Sequence, residues 1–170
     1  GMDMELLDWL RAYTFPEESR YGDMAYAEKA YGVFVDDLKH STATRACIFA
    51  TIHPDTTLLL MRMLEKTGLV TKVGKVNMDA NSPDDYVETT ADSLAATVAW
   101  IRQSLSAFRY VSPILTPRFV PSCSAALMAG LGRLQGEYGL PVQSHLSENP
   151  GEVDWVKSLF PDSTCSGDVY

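Results

Sequence analysis

The chain has 170 residues, 46% of them hydrophobic and 21% charged, which suits one folded domain and argues against a disordered chain. A formal net charge of -8 argues against the basic face of a nucleic-acid binder, and no apolar run approaches the roughly 20 residues of a membrane span. Three cysteines without close pairing (Cys47, Cys123 and Cys165) fit a reduced, cytoplasmic setting, and Gly1–Met2 before Met4 reads as a cloning remnant with no leader signal.

Apolar residues at Met24, Ala27, Tyr31, Phe34 and Leu38 recur every three or four positions and predict the first helix. The run Thr44–Thr51 is short, β-branched and apolar and predicts a buried strand. Asp55 and Thr56 are candidate caps for a helix carrying Leu59, Leu60, Met63 and Leu64, and Gly68 follows its end. A second strand is expected at Lys72–Asp79. The next helix carries Leu94, Val98, Ile101 and Leu105, with Thr89 and Asp92 as a variant capping box. A third strand is expected at Tyr110–Phe119, then a helix with Leu127, Leu131, Leu134 and Tyr138 stopped by Gly139. A fourth strand at Pro141–Leu146 precedes a helix capped by Asn149, with Pro150 at its first position and Val153, Val156 and Leu159 on one face.

Strands alternating with helices predict an α/β fold with parallel strands. Periodicity leaves two parents open, a doubly wound open sheet and part of a (β/α)8 barrel. In both, the carboxyl ends of the strands carry the site, and polar residues collect there: Thr51–His53, Asn77–Asp79, Thr116–Phe119 and Ser144–Glu148. No glycine-rich phosphate loop follows any strand, which weakens a nucleotide-binding reading.

His145 ends the fourth strand and Glu148 follows three residues later. Together they offer an imidazole for a metal and a carboxylate to move a proton, or else a core histidine and a helix-start charge. Arg118 beside Phe119 offers a donor fork and a flat stacking surface, or else a salt-bridged arginine next to a core aromatic. His53 could face the same mouth but reads more simply as a hydrogen-bonding loop histidine. His40 suits a helix end, and Cys123 reads as a buried structural thiol. There are three histidines, no H-x-H pair and no match to the H-x-E…P-C-x-x-C deaminase signature, so a complete zinc site is hard to assemble.

Seven blocks together are more specific than any one motif: YTFPEE at 13–18, CIFATIH at 47–53, VGKVNMD at 73–79, ETTADS at 88–93, PILTPRF at 113–119, SCSAALM at 122–128 and QSHLSEN at 143–149. Through nearly its whole length the chain resembles the guanine deaminases of the metal-dependent amidohydrolase superfamily. The resemblance implies a (β/α)8 barrel and hydrolysis of guanine to xanthine and ammonia by a metal-activated water, usually on zinc. It implies that His145 is a metal ligand, Glu148 the catalytic proton shuttle, and Arg118 and Phe119 the substrate-binding pair. It places the family's other metal ligands outside residues 1–170. The chain is thus expected to be a single partial barrel domain, about half a TIM-type barrel (strands two to five), with no zinc bound and no activity alone, and to self-associate. Another amidohydrolase, a chlorohydrolase or an adenosine-type deaminase, is the alternative.

Overall fold

A computed structural model describes residues 4–170. The chain opens with helix α1 (Leu6–Trp9), a π-helical turn (Leu10–Thr14), α2 (Phe15–Ser19) and a 3-10 turn (Arg20–Gly22). Then come α3 (Met24–His40), β1 (Arg45–Phe49), α4 (Pro54–Glu65), β2 (Val70–Gly74), β3 (Val76–Asn77) and α5 (Thr90–Ser104). The rest comprises β4 (Val111–Pro113), β5 (Thr116–Pro117), α6 (Ala125–Tyr138) and α7 (Pro150–Leu159), with 3-10 turns at Val120–Ser122 and Ser166–Val169.

All named strands pair in parallel, in the order β1-β2-β4, with β3 beside β5. The expected second strand is split at Lys75 and the expected third at Ile114–Leu115. The expected fourth strand is reduced to single parallel bridges, Leu115 to Val142 and Phe119 to His145. Pro113, Pro117 and Pro141 each lack an N–H to give to a ladder.

The strands follow one another in chain order, and α3, α4, α5 and α6 pack side by side in the same order. The sheet also curls. The Gln143 Nε2 atom donates to the Ile48 carbonyl at 3.1 Å, and the Phe49 and His145 rings lie 4.4 Å apart, so the first strand approaches the last extended segment. A doubly wound sheet would reverse its strand order and carry helices on both faces.

One core lies between sheet and helices and contains Leu60, Met61, Leu64, Val73, Trp100, Ile101, Leu115 and Leu127. A second contains Leu10, Phe15, Ile52, Val76, Met78, Tyr86 and Phe119, where the N-terminal helical run covers the strand ends. Close approach of strands fixes Gly74, because a Cβ there would fall 1.7 Å from the Thr116 Oγ1 atom. Gly139 ends α6 with φ 64°, as expected for a left-handed cap, and Gly68 follows α4 with φ 75°.

Several helix details differ from the sequence reading. On α3 the buried face is Ala27, Tyr31 and Val35, while Met24 is 46% and Phe34 39% exposed. Its spacing of four follows the narrow stripe that one packed neighbour needs. Helix α4 begins directly after His53, which supplies no side-chain cap; the Thr57 hydroxyl donates back to the His53 carbonyl at 2.7 Å. Thr89 caps α5 by accepting from the Asp92 N–H, but its own hydroxyl donates to Asp92, so the box is one-sided. The most buried face of α5 is Ser93, Thr97, Trp100, Ile101 and Ser104, and Leu105 is exposed. On α7 the Asn149 cap and Pro150 stand as expected, but Val153 and Leu159 are exposed and Glu152 is buried with Val156.

Candidate functional site

Arg118 and Phe119 leave the end of β5, and His145 stands beside them on the neighbouring segment. The His145 N–H donates to the Arg118 carbonyl at 3.0 Å, and His145 bridges to Phe119. Arg118, Phe119, His145 and Glu148 line one cavity of about 260 Å³ with Trp9, Leu10, Thr14, Glu18 and Phe49. The four residues singled out in the sequence therefore meet in one place. A larger hollow of about 450 Å³ lies beside β1 and shares Trp9, Thr14, Glu18 and Phe49 with it.

The imidazole of His145 is oriented on both sides. Its Nδ1 lies 2.8 Å from the Arg118 carbonyl, which can only accept, so Nδ1 carries the proton. The Nε2 lone pair is then free, the tautomer that an Nε2 metal ligand requires. Phe49 packs against the ring. The Tyr170 hydroxyl donates to the His145 carbonyl at 2.9 Å, which fastens the backbone.

Glu148 is exposed and sits on a shaped loop. Ser147 holds a left-handed backbone, φ 53°, a strained conformation for a residue with a Cβ. The Glu148 N–H then donates to the buried Glu152 carboxylate at 2.7 Å, and Asn149 caps α7. The buried Glu152 thus anchors the loop that carries Glu148. Nothing in the residue type at 147 signals the positive φ, since glycine or asparagine would be the usual choice.

Arg118 is 7% exposed, and its fork meets Glu18 at 2.6 and 3.0 Å. The Tyr86 hydroxyl donates to the same carboxylate at 2.8 Å, and the Phe15 ring centroid lies 4.9 Å from the guanidinium carbon. A buried guanidinium needs such a counter-charge. Sequence reading missed Glu18 and Tyr86 as part of this site. Glu18 falls in the YTFPEE block, but acidic residues in a helix's first turn ordinarily serve the dipole.

His53 does not line the cavity. Its ring packs 5.9 Å from Tyr86, its Nε2 has no hydrogen-bond partner among the described residues, and burial lowers its pKa from the ordinary value. Cys123 is buried, its Sγ donates to the Asn77 carbonyl at 3.3 Å, and burial pushes the thiol up to about 11, as fits a structural cysteine. His40 lies beside Asp36 at the end of α3, away from the cavity. Among the described residues no group of three or more metal-binding side chains converges.

The model of the Amidohydrolase family matches residues 4–168. A guanine deaminase of Dictyostelium discoideum is 45% identical over the whole chain, and the human guanine deaminase is 42% identical. In each case the chain covers 38% of the relative's length. A crystal structure of guanine deaminase from C. acetobutylicum with bound guanine in the active site superposes with a TM-score of 0.97 at 51% identity, covering 100% of this chain and 41% of that one. An adenosine deaminase from Xanthomonas campestris shares the fold at a TM-score of 0.73 and 17% identity. With a family match over nearly all its residues and a parallel α/β fold to go with it, the chain belongs to the amidohydrolase family.

Proposed function

We propose that the chain is the guanine-recognising part of an amidohydrolase that hydrolyses guanine to xanthine and ammonia, built from strands two to five of a TIM-type barrel. The observation that carries this is the meeting of Arg118, Phe119, His145 and Glu148 in one cavity at the strand ends. The guanine deaminases that the chain resembles supply the substrate.

In this reading Arg118 donates to the purine carbonyl and Phe119 packs on the ring. His145 offers its Nε2 lone pair as one ligand to a metal ion, with the tautomer already set by the Arg118 carbonyl. A zinc ion held there would lower the pKa of a water toward about 7 and so supply the nucleophile. Glu148 accepts a proton from the attacking water and returns it to the departing amine, so water and guanine become xanthine and ammonia. The donor chemistry fits a metal, but the described residues supply one imidazole where a catalytic zinc takes three protein ligands. This chain by itself is therefore expected to hold no stoichiometric zinc and to turn over no guanine. The exposed Cys47 and Cys165 and the buried Cys123 are all free, in keeping with a reduced compartment such as the cytoplasm.

A substrate panel tests the proposal. The complete protein containing this chain is offered guanine, adenine, adenosine and a chlorinated triazine. Guanine should give the highest kcat/KM. A preference for adenosine or the triazine would reassign the protein to another amidohydrolase activity.

A further inference from the structure

We propose that Glu18 is a positioning residue for substrate recognition, setting the plane in which Arg118 presents its donors. The inference rests on the reading of Arg118 as the group that meets the purine carbonyl.

A guanidinium has five N–H donors. Glu18 takes one from each terminal nitrogen, at 2.6 and 3.0 Å, and leaves three. A two-point pair fixes the guanidinium plane, which a single hydrogen bond would leave free to rotate. The plane is also held over the Phe15 ring, 4.9 Å from its centroid. Phe15 and Glu18 stand three apart on α2, so one helical face supplies both supports. Glu18 is fixed in turn. The Tyr86 hydroxyl donates to its Oε2 at 2.8 Å while accepting from the Ile52 N–H at 3.4 Å, and Tyr86 is fully buried. Arg118 and Glu18 both line the cavity that holds His145 and Glu148. The carboxylate is therefore more than a counter-charge: it aims the remaining donors of a buried arginine.

The test uses the complete enzyme and two purines. Guanine and 2-aminopurine carry the same amine on the same ring carbon, but 2-aminopurine has a hydrogen in place of the carbonyl. Wild type should favour guanine in kcat/KM. In Glu18→Gln this preference should fall by roughly tenfold, with guanine losing more than 2-aminopurine, because the misaimed contact is carbonyl-specific. Tyr86→Phe keeps the ring in the core and should lower the preference in the same direction by less, which decides the matter if Glu18→Gln does not fold. An unchanged preference, or parallel loss on both purines, overturns the positioning role while leaving the guanine reading intact. A wild-type enzyme that deaminates neither purine overturns both.

Discussion

The residue with the narrowest task is Arg118. It is almost fully covered, paired with Glu18 and set at the mouth shared by His145 and Glu148. A charge-assisted hydrogen bond from it to a substrate carbonyl, as proposed, would contribute about 1.5–3 kcal/mol. In the complete enzyme Arg118→Ala should cut kcat/KM for guanine by roughly tenfold or more, and steady-state kinetics would show it. His53 makes a different prediction. Burial lowers its pKa, so in the folded chain it resists a proton that the unfolded chain takes up near pH 6.5. Its contribution to stability is full above about pH 6.5 and is lost as the pH falls through the depressed folded value. Denaturation curves across that window should flatten for His53→Gln. Among single residues, the polar clusters at strand ends marked His145, Glu148, Arg118 and Phe119 as candidates, and the fold brings these four to one cavity. Glu18 and Tyr86 were not, because their role depends on a helix folding over the sheet from a hundred positions away from Arg118.

At the level of elements, the break between β2 and β3 carries the most unusual group. Lys75 is fully buried and meets the Glu88 carboxylate at 2.7 and 2.6 Å, with the Val76 carbonyl at 3.2 Å. Burial pulls its pKa down, and the Glu88 charge opposes that. Removing one partner leaves an uncompensated buried charge, so Lys75→Met should destabilise the chain by about 3–5 kcal/mol. The double replacement Lys75→Met with Glu88→Leu should cost less than the single one, and chemical denaturation would measure both. The alternation of strands and helices was plain from apolar runs and period. Helix α6 followed its expected face because Leu127, Leu131 and Leu134 are buried by neighbours on a regular layer. Helix α5 did not, because Asn77 reaches outward and donates to Ser93 and Thr97 at 2.8 Å, drawing a polar face inward. A fully buried polar contact of this kind leaves no trace in an apolar pattern.

The whole molecule has an open side. β1 ends the sheet, and the hollow of about 450 Å³ beside it is lined by Trp9, Tyr13, Tyr31, Phe34 and Leu60. On the last extended segment Val142 and Leu146 are 43% and 53% exposed. Bare strand edges with apolar surroundings favour pairing with another chain. The isolated chain is therefore expected to form dimers or larger assemblies, and light scattering after size exclusion checks this. A stable species near 18.8 kDa on dilution would show that the edges are satisfied within one copy. Sequence pattern alone left the doubly wound and barrel parents open, since strand curvature depends on contacts such as Gln143 to Ile48 across the sheet. The central claim concerns chemistry at the mouth of that sheet. Its most direct test is the ultraviolet spectrum of guanine incubated with the complete protein, wild type beside Glu148→Gln. Conversion to xanthine by the wild type, lost in the variant, is the expected result. No conversion by the wild type, or undiminished conversion by Glu148→Gln, would contradict it.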